Sequence, residues 1–193
     1  MNQEIELNHY NGNTLWWGAV CQDTNNLRPV FDPWEKPEFN IPPLYQDIKF
    51  HLIFDIKMGE KFCQNPHFVA GGHMTETPST STYAYVVSRD LERIALTISA
   101  LNQLEIFSCD IHNAYLTDDC QEKIWTCAGP EFGSKAGTII IVRKALYGLK
   151  SSGAYFFVHL AKTLHGIGFL STKEKPDVWY RPAVKPNGFE YYE

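Results

Sequence analysis

The chain has 193 residues, enough for one sizeable hydrophobic core or two small ones. Hydrophobic residues make up 44% and charged residues 20% of it, which is typical of a folded protein and excludes a disordered, collagen-like or coiled-coil chain. The longest aliphatic run covers only residues 139–142, whereas a membrane-spanning helix needs roughly 20 apolar residues. We therefore predict no membrane segment.

The N-terminus and the cysteines indicate a reducing, intracellular location. Residues 1–13 are polar and acidic and lack the basic-then-apolar order of a signal peptide, so we expect a flexible leader. The cysteines are odd in number and include no CxxC pair: Cys21, Cys63, Cys109, Cys120 and Cys127. Structural disulfides and a thiolate zinc site are not expected, and we predict a cytoplasmic or nuclear protein that is not secreted.

The net charge of −5 is unevenly distributed along the chain. Residues 1–60 carry nine acids and four bases, and residues 105–131 carry six acids and one base. Residues 132–173 contain six lysines and arginines and no acid. A basic strip beside an acidic patch suits a protein that grips phosphates and also holds a cation. Chance clustering on a solvated surface is the alternative.

The first half of the chain predicts a helix followed by a hairpin. An apolar, aromatic run from residue 15 indicates an amphipathic helix, and a proline-rich connector follows over residues 29–43. Residues 49–56 alternate between apolar and polar side chains, which predicts a half-buried strand, and the apolar run 67–70 predicts its hairpin partner. Residues 75–82 are rich in Ser, Thr and Pro and predict a loop.

The second half mixes helices and strands. Ser88 is a predicted N-cap for a helix with apolar residues at helical spacing, and Ser151 or Ser152 is the predicted cap of another. Strands are expected over residues 105–111 and 138–142, and a final hairpin joins 178–181 to 189–192. Because strands and helices do not alternate strictly, we predict an α+β fold with a mixed or antiparallel sheet packed by helices.

Asp110 is the first candidate for chemistry. It lies near the end of a predicted strand, where a carboxylate is a natural oxygen ligand for Mg²⁺. Polymerases and nucleases place two or three carboxylates around a metal pair, and one alone seldom holds the ion strongly. The alternative is an Asp that ends a strand and accepts hydrogen bonds from the following turn.

The segment 145–152, with the sequence ALYGLKSS, is the second candidate. Gly148 permits a close backbone approach, and Lys150 precedes a predicted helix N-terminus, so the segment can meet an anion through N–H groups and one ammonium. It lacks the P-loop pattern, and a purely structural turn is the alternative.

These blocks together resemble the reverse transcriptase of copia-type retrotransposons. The matching blocks are WWGA at 16–19, the strand pair 50–57 and 67–72, DIHNAYL at 110–116, ALYGLKSS at 145–152 and KPDVW at 175–179. The family reads D-V-K-N-A-F-L at the third block and S-L-Y-G-L-K-Q-S at the fourth. The resemblance covers residues 14–193 and implies the fingers and part of the palm of a right-hand polymerase, truncated before the YxDD hairpin.

The resemblance also implies site residues and partners. Asp110 would be a catalytic carboxylate and, with the Ile111 carbonyl, a ligand of Mg²⁺ in a two-metal nucleotidyl transfer. The implied nucleotide-binding residues are Ala114, Tyr115, Tyr147, Gly148 and Lys150. Arg143 and Lys144 in the basic strip would contact nucleic acid. The implied partners are an RNA template, a DNA primer and dNTPs.

The sequence departs from the family at positions that matter. Asn65 and His67 stand where the family has a Lys and an Arg that grip the triphosphate, and Gly153 stands where it has a proline. Loss of two cations should weaken dNTP binding. The Y-V-D-D block and the thumb and RNase H regions are not found before Glu193, so weak Mg²⁺ binding and an inactive fragment are expected.

The implied domain order is a leader over 1–13, fingers-like segments over 14–87 and 117–150, and palm segments over 88–116 and 151–193. The function expected is that of a fragment of an RNA-directed DNA polymerase, inactive alone. The alternative is a non-catalytic nucleic-acid-binding module that uses the basic strip 132–173.

Overall fold

The computed structural model describes residues 2–33, 41, 43–58, 62–79 and 81–193. Its helices are α1 (Asn2–Asn11), α2 (Leu15–Asn26), α3 (Arg89–Leu101) and α4 (Ser152–Gly166). Its strands are β1 (Phe31–Pro33), β2 (Gln46–Asp47), β3 (Phe50–Met58), β4 (Phe62–Ala70), β5 (Ile124–Cys127), β6 (Ile139–Val142), β7 (Leu170–Ser171), β8 (Trp179–Tyr180), β9 (Pro182–Val184) and β10 (Glu190–Tyr192). The fold is mixed α+β, with small antiparallel and mixed sheets, as predicted.

The chain divides into two compact units. Unit 1 comprises Met1–Ser81 and Tyr115–Ser152, and unit 2 comprises Thr82–Ala114 and Gly153–Glu193. The chain therefore passes from unit 1 to unit 2, back to unit 1 and again to unit 2. The identity of the units as fingers and palm stays a prediction.

Unit 1 is built on a four-stranded mixed sheet and a long hairpin. The sheet has the order β1-β6-β5-β2, in which only β2 and β5 run parallel. The hairpin pairs β3 with β4 over their whole length, from Phe50 opposite Ala70 to Met58 opposite Phe62. The predicted strands 49–56, 67–70 and 138–142 are thus confirmed.

The core of unit 1 lies between these elements. It draws on β1, β5, β6, the base of the hairpin and the segment that follows β6: Leu27, Val30, Phe31, Ile48, Phe68, Ala70, Ile124, Ala128, Ile140, Val142, Leu146 and Leu149. Such burial of aliphatic and aromatic side chains is the main favourable contribution to folding. The basic strip thus begins beside a strand that is packed in the interior.

Unit 2 contains α3, α4 and two small hairpins, β7–β8 and β9–β10. Ser88 caps α3 as predicted, since its hydroxyl accepts a hydrogen bond from the Leu91 N–H. The final hairpin turns at the predicted place, where Gly188 has a φ of +84°. Its first strand is β9, however, because residues 179–180 pair with β7 instead.

Three other segments differ from expectation. Within the predicted flexible leader, residues 2–11 form α1, and α1 packs against α2. The start of the proline-rich connector forms β1, while residues 34–40 and 42 of it lie outside the described residues. The strand predicted over 105–111 is not formed: this segment makes no hydrogen bond to any described residue. None of the helices in the described ranges is long and apolar enough to cross a membrane.

Candidate nucleotide-contacting site

The segment 145–152 packs directly on the end of β4. The Ala70 N–H donates a 2.8 Å hydrogen bond to the Tyr147 carbonyl. Gly148 has a φ of +90°, and a Cβ there would lie 2.1 Å from the Ala70 carbonyl oxygen. A Cβ on Gly72 would likewise lie 2.1 Å from the Gly148 carbonyl oxygen. Two backbone segments approach each other here more closely than any side chain would permit.

Apolar anchors hold this segment in place. Leu146 and Leu149, on either side of the tight turn, are buried in the core of unit 1. Tyr147 and Gly148, between them, face outward. The alternation of buried and exposed positions explains why the turn presents a tyrosine while its backbone stays fixed.

Three aromatic rings from distant parts of unit 1 meet beside the turn. The Tyr115 and Tyr147 rings pack edge to face with their centroids 4.7 Å apart. The His67 ring, on β4, lies 6.3 Å from the Tyr147 ring. Tyr115 is placed by a short 3-10 turn, Ala114–Thr117, which follows Asn113 with its φ of +53°. Tyr147 is 43% exposed, so the group is partly accessible from solvent.

His67 also belongs to a small polar cluster on the hairpin. The Asn65 side-chain amide lies 2.6 Å from His67 Nε2. The neighbouring Phe68 N–H donates to the Asp23 carboxylate of α2 at 3.2 Å. Desolvation raises the pKa of Asp23, while the bond from Phe68 and the charge of His67 partly oppose that rise. A carboxylate thus stands close to the hairpin positions where the family resemblance would call for two cations.

A carboxylate that sequence reasoning missed holds the segment from its other side. Glu122 accepts hydrogen bonds from the Ser151 N–H and hydroxyl, at 3.1 and 2.5 Å. Its other oxygen lies 3.5 Å from the Thr75 hydroxyl, and the Lys150 ammonium donates to the Thr75 carbonyl. Glu122 therefore satisfies donors at the start of α4, as a capping residue does. These partners are far apart in sequence, so no local signal could have identified them.

The proposed nucleic-acid contacts of the basic strip are engaged in ion pairs. Arg143 Nε lies 2.8 Å from the Asp32 carboxylate, and Lys144 Nζ lies 2.7 Å from the Asp119 carboxylate. The hydrogen bond and charge of Lys144 lower the pKa of Asp119. To bind a phosphate, Arg143 or Lys144 must either contact the phosphate and its carboxylate partner together or leave the ion pair.

Asp110 and Ile111 lie in unit 2 within the irregular segment and are exposed. Asp110 makes no ion pair or hydrogen bond with any other described residue. No group of three or more His, Cys, Asp or Glu that could hold a metal ion is found in the described ranges. The described residues around Asp110 do not fit the pair of Mg²⁺ ions that the resemblance implies, because such a pair needs several converging carboxylates.

The predicted site residues are divided between the two units. Tyr115, Tyr147, Gly148 and Lys150 belong to unit 1, whereas Ala114, Asp110 and Ile111 belong to unit 2. The contact of His67 with Tyr147 was not expected from the sequence. No protein-family model, curated protein or solved structure matches this chain. The family resemblance accordingly stays a prediction from the sequence.

Proposed function

We propose that this chain provides the fingers and part of the palm of an RNA-directed DNA polymerase of the copia-type retrotransposon kind. In this proposal unit 1 contacts the incoming nucleotide and the template. The chain alone does not transfer nucleotides, because no other carboxylate of the described residues joins Asp110 in the group that a metal pair requires.

The observation that carries the proposal is that residues from three sequence blocks meet in unit 1. The hairpin 50–70, the block that includes Tyr115 and the segment 145–152 are far apart in the sequence, and each supports the resemblance. They converge through the contacts of Tyr147 with His67, Tyr115 and the N–H of Ala70. Blocks that bind one ligand are expected to lie close together in the fold. Blocks that resemble the family only by chance are not expected to do so.

The chemistry of the group also supports a nucleotide or a nucleic-acid base as the ligand. A half-exposed tyrosine backed by a second aromatic ring offers a face on which a base can stack. Such stacking contributes about 1–3 kcal/mol per base and does not depend on base identity. The ion pairs of Arg143 and Lys144 engage two of the six cations of the basic strip, so stacking on Tyr147 is the contact by which the two functions are told apart.

Equilibrium binding tests the proposal. The anisotropy of a fluorescent RNA template annealed to a DNA primer is measured with the wild-type chain, with Tyr147→Ala and with Tyr10→Ala. We expect Tyr147→Ala to weaken binding about tenfold, which corresponds to the loss of one stacked base. Tyr10, on α1 and 91% exposed, is the matched control and should leave binding unchanged.

Two results would contradict the proposal. If binding of the template–primer is unchanged in Tyr147→Ala but weakened in Arg143→Ala and Lys150→Ala, the non-catalytic module is favoured instead. Primer extension by the isolated chain with Mg²⁺ or Mn²⁺, abolished by Asp110→Ala, would show that the chain is a complete catalyst and that its proposed inactivity is wrong.

A further inference from the structure

A cavity of about 490 Å³ lies in unit 1, apart from the aromatic group around Tyr147. It is formed by the end of α2, the turn into β1, the 3-10 segment Pro130–Lys135 and β6. Its volume falls within the range of roughly 300–1,000 Å³ that is usual for small-molecule sites. None of the residues assigned to the proposed function lines it.

The floor of the cavity is aromatic and aliphatic. Phe31 and Ile140 are almost completely buried, and the half-buried Phe132 packs edge to face on Phe31 with the ring centroids 5.4 Å apart. These side chains belong to the core of unit 1 or pack against it, so their positions are fixed by more than the cavity itself. A rigid floor of this kind suits a flat apolar ring.

The rim of the cavity is cationic. Arg28 and Lys135 line it and are exposed, and neither forms an ion pair with another described residue. Arg143 and Lys144, by contrast, have carboxylate partners. Glu131 is the one carboxylate among the lining residues, and its oxygens lie against Gly129. Two cations that have no ion-pair partner among the described residues thus stand above an apolar floor.

We propose that this cavity binds a small aromatic anion, a planar ring that carries one carboxylate, sulfonate or phosphate. The ring lies on Phe31, Phe132 and Ile140, and the anionic group is bound by Arg28 and Lys135 through charge-assisted hydrogen bonds. The apolar floor binds the ring of the ligand, and the two cations bind its anionic group. Both the ring and the anionic group are therefore needed for binding. This inference does not depend on the polymerase proposal.

Cys21 reports on occupancy, since its half-buried thiol lines the same cavity. The intact chain is alkylated with N-ethylmaleimide at increasing concentrations of 2-naphthalenesulfonate, and each cysteine is quantified by peptide mass spectrometry. We expect the sulfonate to slow alkylation of Cys21 in a saturable manner. The exposed Cys63 and Cys109 are internal references and should react at an unchanged rate.

Charge removal completes the test. In Arg28→Ala/Lys135→Ala the half-protecting concentration of sulfonate should rise at least fivefold, and single variants should give smaller rises. The matched double variant Lys49→Ala/Lys123→Ala removes two exposed lysines of unit 1 that do not line the cavity and should leave protection unchanged. Circular dichroism of each variant checks that the fold is retained.

Three results would overturn the inference. Cys21 alkylation could be insensitive to the sulfonate. The neutral 2-naphthalenemethanol could protect as well as the sulfonate does, so that the cations add nothing. The two double variants could behave alike, so that only overall charge matters. A sulfonate effect that is weakened in each single variant and weakened further in Arg28→Ala/Lys135→Ala, in folded protein, supports it.

Discussion

The two units differ most in how much of their apolar surface is buried. Among the described residues, every buried side chain lies in unit 1, from Trp16 on α2 to Ser152 at the start of α4. In unit 2, α3 has no buried residue, although its apolar side chains repeat at helical spacing. Leu101 and Phe107 are 79% and 86% exposed there.

The difference shows that a local sequence pattern can specify a helix whose apolar side chains are nevertheless not buried. An amphipathic pattern and a serine cap favour a helix at α3, but most helical stability in proteins comes from the packing of the apolar face. Unit 1 has that packing and unit 2 contributes surface aromatic contacts such as Tyr85 with Phe157. Unit 1 is therefore the part expected to set the stability of the chain.

The largest expected effect comes from a side chain at the tight turn of unit 1. Gly148→Ala combines a positive φ with a Cβ 2.1 Å from the Ala70 carbonyl oxygen, so we expect destabilisation of about 3 kcal/mol or more. Gly18→Ala in α2, where nothing lies within 4 Å of the added Cβ, should stabilise by about 0.5–1 kcal/mol. Urea unfolding followed by circular dichroism measures both. Equal effects would contradict the close approach.

Truncation of one isoleucine in each unit tests the difference in burial. Ile124, fully buried on β5, should cost about 2–5 kcal/mol when replaced by Ala. Ile98, 48% exposed on α3, should change stability by less than about 0.5 kcal/mol, because Ala is also the better helix former. Denaturation midpoints of the two variants are compared. A large loss at Ile98 would show that α3 is packed in solution.

Hydrogen exchange should show the same difference without mutation. Backbone N–H groups of residues 105–111 have no acceptor among the described residues and should exchange at close to the unprotected rate. The N–H groups that join β5 to β6 should be among the slowest. Mass spectrometry of exchanged peptides resolves these segments. Strong protection over 105–111 would mean that this segment pairs with another strand.

The smallest effect concerns an exposed ion pair of unit 1. Lys144 lowers the pKa of Asp119, so the carboxylate is stabilised in its charged form when folded. The contribution is present above the ordinary pKa of about 4 and is lost as the pH falls through the lowered value. Lys144→Met should return the pKa of Asp119 toward its ordinary range, measured by carboxylate NMR. Asp32 is the control, since its partner is Arg143.

Patterns confined to a few residues were the most predictable part of the fold. The alternation at 49–56, the β-branched run at 138–142 and the Ser88 cap each encode an element that the structure contains. The strand expected at 105–111 has a similar alternation but is not formed, because a strand exists only through its neighbours. Sequence alone does not show whether such a neighbour is present.

The candidate site was predictable to a smaller extent. The block 145–152 predicts Gly148 as a position of close backbone approach, and the contact with Ala70 gives this glycine a structural reason. Tyr147 is predicted only through the family resemblance. The roles of His67 and Glu122 depend on contacts between residues far apart in the chain. Long-range contacts of this kind leave no periodic or local signal in a single sequence. The mutual pairing of the basic strip with Asp32 and Asp119 was hidden for the same reason.

The facing glycines, Gly72 and Gly148, limit how this region can vary. A Cβ on the first meets the main-chain oxygen of the second, and a Cβ on the second meets the main-chain oxygen of Ala70. Because each obstacle is peptide backbone, no smaller neighbouring side chain can create the missing space. If both codons are randomised together and folded clones are selected, glycine should be recovered at both positions, with no compensating pair.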